Sequence, residues 1–231
     1  MEVKLFDVKV ENGWIKQSFF RELDTLYDAE NFTLGYGEGP VETLESLWQT
    51  YCRRQHALAV SAGTHALHMA AVALALRPGD EVIVPANTFI STATAPAMLG
   101  ATIVECDVDA ATLNVSRSTV EAVMSERTRA IFPVNLYGSP YPYEDLRELG
   151  VSLVEDGAHS HGATYKGLPS GRLGDYSIFS FFPMKVVGGI GDGGMILFDS
   201  TEALEMLRAF RNCGQQKAHY ATVLGNVYRI H

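Results

Sequence analysis

Short, almost unbroken apolar runs punctuate the chain, and each early run is followed by a stretch with helical spacing. "HALAVS" precedes "GTHALHMAAVALAL", "EVIVP" precedes "TFISTATAPAML", and "TIVECD" precedes "SRSTVEAVMSE". Further along come "AIFPVNL", a helical piece at "YPYEDLREL", the runs "VSLVED", "YSIFSF" and "GMILFD", and a helix at "TEALEMLRAFRN". A strand with one wet face alternates apolar and polar residues, whereas a strand covered on both faces does not. Continuous apolar strands alternating with helices therefore predict an α/β three-layer sandwich, a mainly parallel sheet with helices on both sides. Ligands of such sheets sit beyond the carboxyl ends of the strands, so chemistry is sought there.

A chain of 231 residues can bury a substantial core, as one large domain or two small ones. Residues 1–34 read as a leading arm with a helix around "SFFRELDTLYDAE", and "GYGEGP" reads as a turn cluster. Leu44, Leu47, Trp48 and Tyr51 then share one face of an amphipathic helix. A net charge of -9 and the lack of a basic run argue against a nucleic-acid partner. The longest apolar tract, residues 66–76, is too short to span a bilayer, and acids occupy the place where an export signal needs apolar residues. The three cysteines (Cys52, Cys106, Cys213) make neither a disulfide framework nor a zinc pattern. A reducing cytoplasm and no membrane are the expectation.

Three strand ends carry unusual residues. "SAGTHAL" turns directly from a strand into a helix, where the N–H groups of Gly63 and Thr64 and the Thr64 hydroxyl could face an anion. A plain helix cap would look the same. Asp156 closes the strand in "VEDGAHS", facing either a ligand or only the next turn. The nearby His159 and His161 lack a third ligand at metal spacing, so no metal is expected.

The third end is "SFFPMKVVGGIGDGGMILF", where Lys185 stands among Phe179, Phe181, Phe182, Pro183, Val186 and Val187. A loop lysine is ordinarily solvated, but apolar surroundings would lower its pKa and make the amine more nucleophilic. Gly189, Gly191 and Gly194 fit the dinucleotide pattern G-x-G-x-x-G, but that pattern must open a helix and here it precedes a strand. Taken together, the ends ask for a ligand with a phosphate for Gly63, Thr64 and Ser180, a carbonyl for Lys185, and a basic ring nitrogen for Asp156. Pyridoxal 5'-phosphate has all three. Phe89, after another strand end, is the candidate to cover the ring, with core packing as its alternative.

In order, "GEGPVETLESLW", "AVSAGTHAL", "VPANTFISTATA", "DVDAATLNV", "VEDGAHSHGATYKG", "GDYSIFSFFPMK" and "GDGGMILF" resemble the DegT/DnrJ/EryC1/StrS aminotransferases, a branch of the fold-type I pyridoxal-phosphate enzymes. The resemblance implies a Schiff-base lysine at Lys185 and a ring-nitrogen partner at Asp156. It also implies cofactor contacts from Gly63, Thr64, Phe89, Ala158, His159 and Ser180. Family members move an amino group, usually from glutamate, to a keto group on a nucleotide-linked sugar, as homodimers with shared active sites. On this reading residues 35–231 are the cofactor-binding large domain, ending before or at the start of a smaller C-terminal domain. In the family an asparagine of the partner subunit reaches the phosphate from a G-x-N-x-R segment. Here "GNVYR" places Asn226 one position early, with Val227 where the asparagine would stand. The rival readings are a non-catalytic regulatory or binding protein with the same fold, and a member that aminates a non-sugar ring.

Overall fold

A computed structural model describes residues 15–28, 39–217 and 220–230. Most of the arm and most of the "GYGEGP" cluster lie outside the described residues. The elements that matter here are α1 (Lys16–Asp28), α2 (Pro40–Cys52), β1 (His56–Val60), α3 (Gly63–Ala73), β2 (Glu81–Pro85), α4 (Ser91–Ala97) and β3 (Thr102–Cys106). They continue with α5 (Arg117–Glu121), β4 (Thr128–Ile131), α6 (Tyr143–Arg147), β5 (Ser152–Asp156), β6 (Thr164–Tyr165), β7 (Leu168–Pro169), β8 (Tyr176–Ser180), β9 (Gly194–Phe198) and α7 (Thr201–Arg211).

Seven strands form the central sheet in the order β1-β9-β8-β5-β4-β2-β3. β2, β3, β4, β5 and β8 run parallel, and β9 alone is reversed, pairing antiparallel with both β8 and β1. The sheet is thus mainly parallel, as its apolar runs require. Alternate residues feed different layers. Leu58, Val60, Ile178, Ile196 and Phe198 pack with Ala66, Leu67, Met69 and Ala70 of α3 and Leu207 of α7. Their neighbours Ala57, Ala59, Phe179, Met195 and Leu197 point the other way, against Trp48 and Cys52 of α2. Ile83, Ile131 and Leu153 pack on that same second side with Val120 of α5 and Leu146 of α6. Burial on both faces explains why the strands lack polar alternation.

Two local expectations change. α2 buries Glu45, Trp48 and Cys52, while Leu47 is 64% and Tyr51 48% exposed, so its inner face is rotated from the apolar pattern. The cause is electrostatic. The Glu45 carboxylate accepts the Ala59 N–H (2.8 Å) and pairs with the buried Arg211, which also donates to the Ala59 carbonyl (2.7 Å). A paired, hydrogen-bonded charge can sit inside, and it takes the place a leucine would have filled. The helix read from "SRSTVEAVMSE" is regular only over Arg117–Glu121, started by a reciprocal capping box between Ser116 and Thr119. Beyond Ala122 the chain tightens into turns, with the Val123 and Met124 N–H groups both donating to Val120.

β9 begins where the glycine-rich loop ends, so the dinucleotide pattern leads into a strand, as its sequence indicates. Gly194 is required by crowding. A Cβ there would lie 2.6 Å from the Ala62 carbonyl carbon and the Gly63 nitrogen, so a side chain would push β9 off the β1–α3 turn. Among the described residues no helix is long and apolar enough to cross a membrane.

Candidate active site

Because β1, β2, β4, β5 and β8 point the same way, their carboxyl ends share one edge of the sheet. Asp156 ends β5 with its backbone locked between neighbours. Its N–H donates to the Pro133 carbonyl (2.9 Å), and its carbonyl accepts the Asn135 N–H (3.0 Å). Its carboxylate is buried. Thr92 Oγ1 donates to Oδ2 at 2.8 Å, and the Ala158 N–H donates to Oδ1 at 3.1 Å.

The preceding residue makes an instructive contrast. Glu155, fully buried, accepts hydrogen bonds from Asn135 Nδ2, Ser170 Oγ, Ser177 Oγ and the N–H groups of Gly171 and Leu173. That carboxylate is saturated and tethers the 170–177 segment to the sheet. Asp156 keeps acceptor capacity in reserve, which an anion buried this deeply retains for a cationic or N–H donor. Burial raises its pKa, and Thr92, the Ala158 N–H and the positive charge of Lys185 oppose the rise.

Lys185 lies in the turn after β8, with its N–H donating to the Phe182 carbonyl (2.8 Å). The side chain is half-buried. Desolvation lowers its pKa, and the Asp156 charge works the other way. The two groups therefore lie near enough for their charges to act on one another. His159 senses the same lysine, because burial and then the Lys185 charge depress its pKa. Phe89 is 70% exposed at the end of the β2–α4 connection, which rules out core packing as its role.

At the β1–α3 turn, α3 makes its first hydrogen bonds from His65 and Ala66 to the Ala62 carbonyl. The N–H groups of Gly63 and Thr64 precede them and face out of the helix start. Ser180 packs directly against this turn. A Cβ on Gly63 would lie 2.9 Å from the Ser180 Cβ, so glycine permits the two walls to meet. Thr64 Oγ1 shares a hydrogen bond with Ser91 Oγ (2.8 Å), which joins the turn to the start of α4.

The structure thus gathers Gly63, Thr64, Asp156, Ser180 and Lys185 on one edge. Ala158 is present, but its N–H is committed to Asp156. Asn226 is exposed and held through its backbone by Phe210 and Cys213, outside the hydrogen bonds that knit this edge together.

Some contributors escape a reading by sequence. Ser91 and Thr92 belong to the hydroxyl-rich helix start "STAT", which signals capping rather than long-range contact. Tyr228 accepts the Ser61 N–H at its carbonyl (2.9 Å), stacks on His65 at 4.0 Å, and shares a hydrogen bond with His68 (3.0 Å) through its hydroxyl.

Among the described residues no group of three or more His, Cys, Asp or Glu side chains could hold a metal ion. The buried His161 ring lies between Trp48, Phe179 and Phe181, with the Ser180 backbone as its polar neighbour. Burial, reinforced by the Lys185 charge, lowers its pKa to about 4. The folded state then holds this ring neutral while the unfolded chain binds a proton at an ordinary histidine pKa. Stability from this group is complete above about pH 6.5 and falls as the pH drops toward 4, by up to about 3 kcal/mol. Urea midpoints measured between pH 4 and 7 should fall less steeply for His161→Leu than for the wild type. Parallel curves would remove His161 as the source.

The sequence pattern of the DegT/DnrJ/EryC1/StrS aminotransferase family matches residues 14–231. A pleiotropic regulatory protein of Geobacillus stearothermophilus is 37% identical over 100% of this chain and 62% of its own length. The dTDP-3-amino-3,4,6-trideoxy-alpha-D-glucose transaminase of Streptomyces venezuelae is 34% identical over 99% of this chain and 60% of its own. The crystal structure of S. venezuelae DesV in complex with a ketimine intermediate superimposes with a TM-score of 0.93 at 34% identity, covering 99% of this chain and 62% of that one. The chain therefore spans about three fifths of the length of these relatives.

Proposed function

The chain belongs to the DegT/DnrJ/EryC1/StrS aminotransferase family, and we propose that it binds pyridoxal 5'-phosphate and forms the catalytic core of an aminotransferase. The reaction moves an amino group from an amino acid donor, glutamate, to a keto group on a nucleotide-linked sugar. Similarity to a transaminase named for a dTDP-sugar supports that substrate class. Residues 35–231 act as the cofactor-binding large domain and residues 1–34 as an arm, in a cytoplasmic protein.

The single observation that carries the reading is the buried, under-coordinated Asp156 carboxylate facing a desolvated lysine. The donor set fits the cofactor. Asp156 would hold the ring nitrogen, and the Gly63 and Thr64 N–H groups with the Ser180 hydroxyl would hold the phosphate. Phe89 would cover one ring face, and His159 would lie near the phenolic oxygen. When bound, the cofactor supplies an aldehyde carbon and an electron-accepting ring. Lys185 Nζ, with its lowered pKa, is suited to take the proton from the donor's α-carbon and to return it. Asp156, anionic, favours the protonated ring nitrogen on which that electron acceptance depends.

Exposed Phe182, Met184, Val186, Val187 and Ile190 beside Lys185 support a homodimer in which a second copy covers this edge. Asn226 would serve the partner's phosphate in that assembly.

A second reading, a regulatory protein that keeps the fold without turnover, draws support from the relative named a pleiotropic regulatory protein. One experiment tests both. Protein saturated with the cofactor should turn yellow, and borohydride should fix the cofactor to Lys185 in a peptide map. Added glutamate should then bleach the band and release 2-oxoglutarate. Colourless protein refutes cofactor binding, and a yellow protein inert to glutamate supports the regulatory reading.

A further inference from the structure

Among the described residues, one side chain from outside its own strand and loop hydrogen-bonds the Asp156 carboxylate. Thr92, fully buried in the first turn of α4, donates to Oδ2 across 64 residues of sequence, and Thr88 Oγ1 lies 2.9 Å from Thr92 Oγ1. The direction of this chain follows from proton counting. An ionised carboxylate has no proton to give, so the single Thr92 hydroxyl proton must point at Asp156. Thr92 can then only accept from Thr88, whose own proton completes the series. The order Thr88 to Thr92 to Asp156 is therefore fixed.

We propose that Thr92, oriented by Thr88, is a positioning residue that pins one oxygen of Asp156 and so presents the carboxylate to the protonated ring nitrogen of the cofactor. The proposal rests on the cofactor reading above and deepens it. Three features set this contact apart from a routine helix cap. Thr92 reaches a strand end instead of its own helix backbone. A β-branched side chain has few rotamers, so its hydroxyl is held in direction. The same short connection also presents Phe89, and the Thr92 N–H donates to the Phe89 carbonyl (3.1 Å). One turn of chain would thus orient both side chains that the cofactor reading assigns to the ring, the Asp156 carboxylate and Phe89.

Thr92→Val keeps the shape and removes the hydroxyl, Thr92→Ser keeps the hydroxyl, and Thr88→Val removes the outer donor. In the full chain, pyridoxal 5'-phosphate affinity should fall roughly tenfold in Thr92→Val, the scale of one charge-assisted hydrogen bond. The pH midpoint of the bound cofactor's visible band should move with it. Thr92→Ser should restore both, and Thr88→Val should show a smaller loss of the same kind.

If Thr92→Val lowers the thermal midpoint but leaves affinity and band titration at wild-type values, the contact merely ties α4 to the sheet and the proposal falls. Loss that Thr92→Ser does not restore also overturns it. A separate measurement covers the case in which wild-type protein ignores the cofactor, which would defeat the functional reading. Carbon NMR of the Asp156 carboxyl in cofactor-free protein should still show its titration midpoint rising in Thr92→Val. An unmoved midpoint would sink the proposal independently of the cofactor.

Discussion

On the proposed function, Lys185→Ala should leave a folded, cofactor-binding protein that no longer transaminates. The side chain stands in a surface turn at a strand end and is only half-buried, so its removal opens no core cavity. What disappears is an amine whose pKa desolvation has lowered, so that more of it is neutral and able to take up a proton. Proton transfer by a positioned group contributes roughly 10²–10⁴-fold to rate, and single-turnover bleaching with glutamate should slow by at least that much. Lys185→Arg is the sharper comparison. Arginine keeps the positive charge opposite Asp156, but its guanidinium is effectively always protonated and cannot accept a proton. It should be as slow as the alanine variant while retaining cofactor affinity. A Lys185→Ala protein bleaching at the wild-type rate would remove this residue from the chemistry.

Asp156→Asn should give the second large loss. The amide is nearly isosteric: its oxygen can accept from the Ala158 N–H while its NH2 donates to Thr92 Oγ1, whose own proton then turns toward Thr88, so the fold should survive. The negative charge does not. Without it the side chain would no longer favour a protonated ring nitrogen, the form in which the cofactor supplies an electron-accepting ring. Removing one preorganised electrostatic group from a buried site costs roughly 10²–10³ in rate. Half-transamination should slow by this factor, with the phosphate contacts proposed for Gly63, Thr64 and Ser180 unaffected. Glu155→Gln is the control, because Glu155 is saturated by structural donors and does not face the cleft. It should cost stability in urea and spare the rate of the folded protein. The reverse pattern, a fast Asp156→Asn and a slow Glu155→Gln, would exchange the roles assigned to these neighbours.

Much of this arrangement can be read from residue order. Strands covered on both faces must be apolar throughout, and for that reason β1, β2, β5 and β8 stand out as runs. A carboxylate or a lysine at the end of such a run is conspicuous because the run itself tolerates neither unpaired. Asp156, Lys185 and the small-residue turn at Gly63 were visible on that ground. Other features depend on partners too distant to be inferred. The inner face of α2 is turned by Arg211, 166 residues after Glu45. The reversal of β9 leaves no trace in its sequence, since an apolar strand reads alike in either direction.

Local order along the chain specified the layers, the strand ends and the kinds of group placed there, because burial and turn chemistry act over a few residues. Folding in three dimensions supplied the pairings. It chose which hydroxyl meets Asp156, left that acid room for one more donor while filling Glu155, and set Ser180 against Gly63. Hydrogen bonds and charges act over a few ångströms of space, and spatial neighbours from separate strands and helices are not neighbours in sequence.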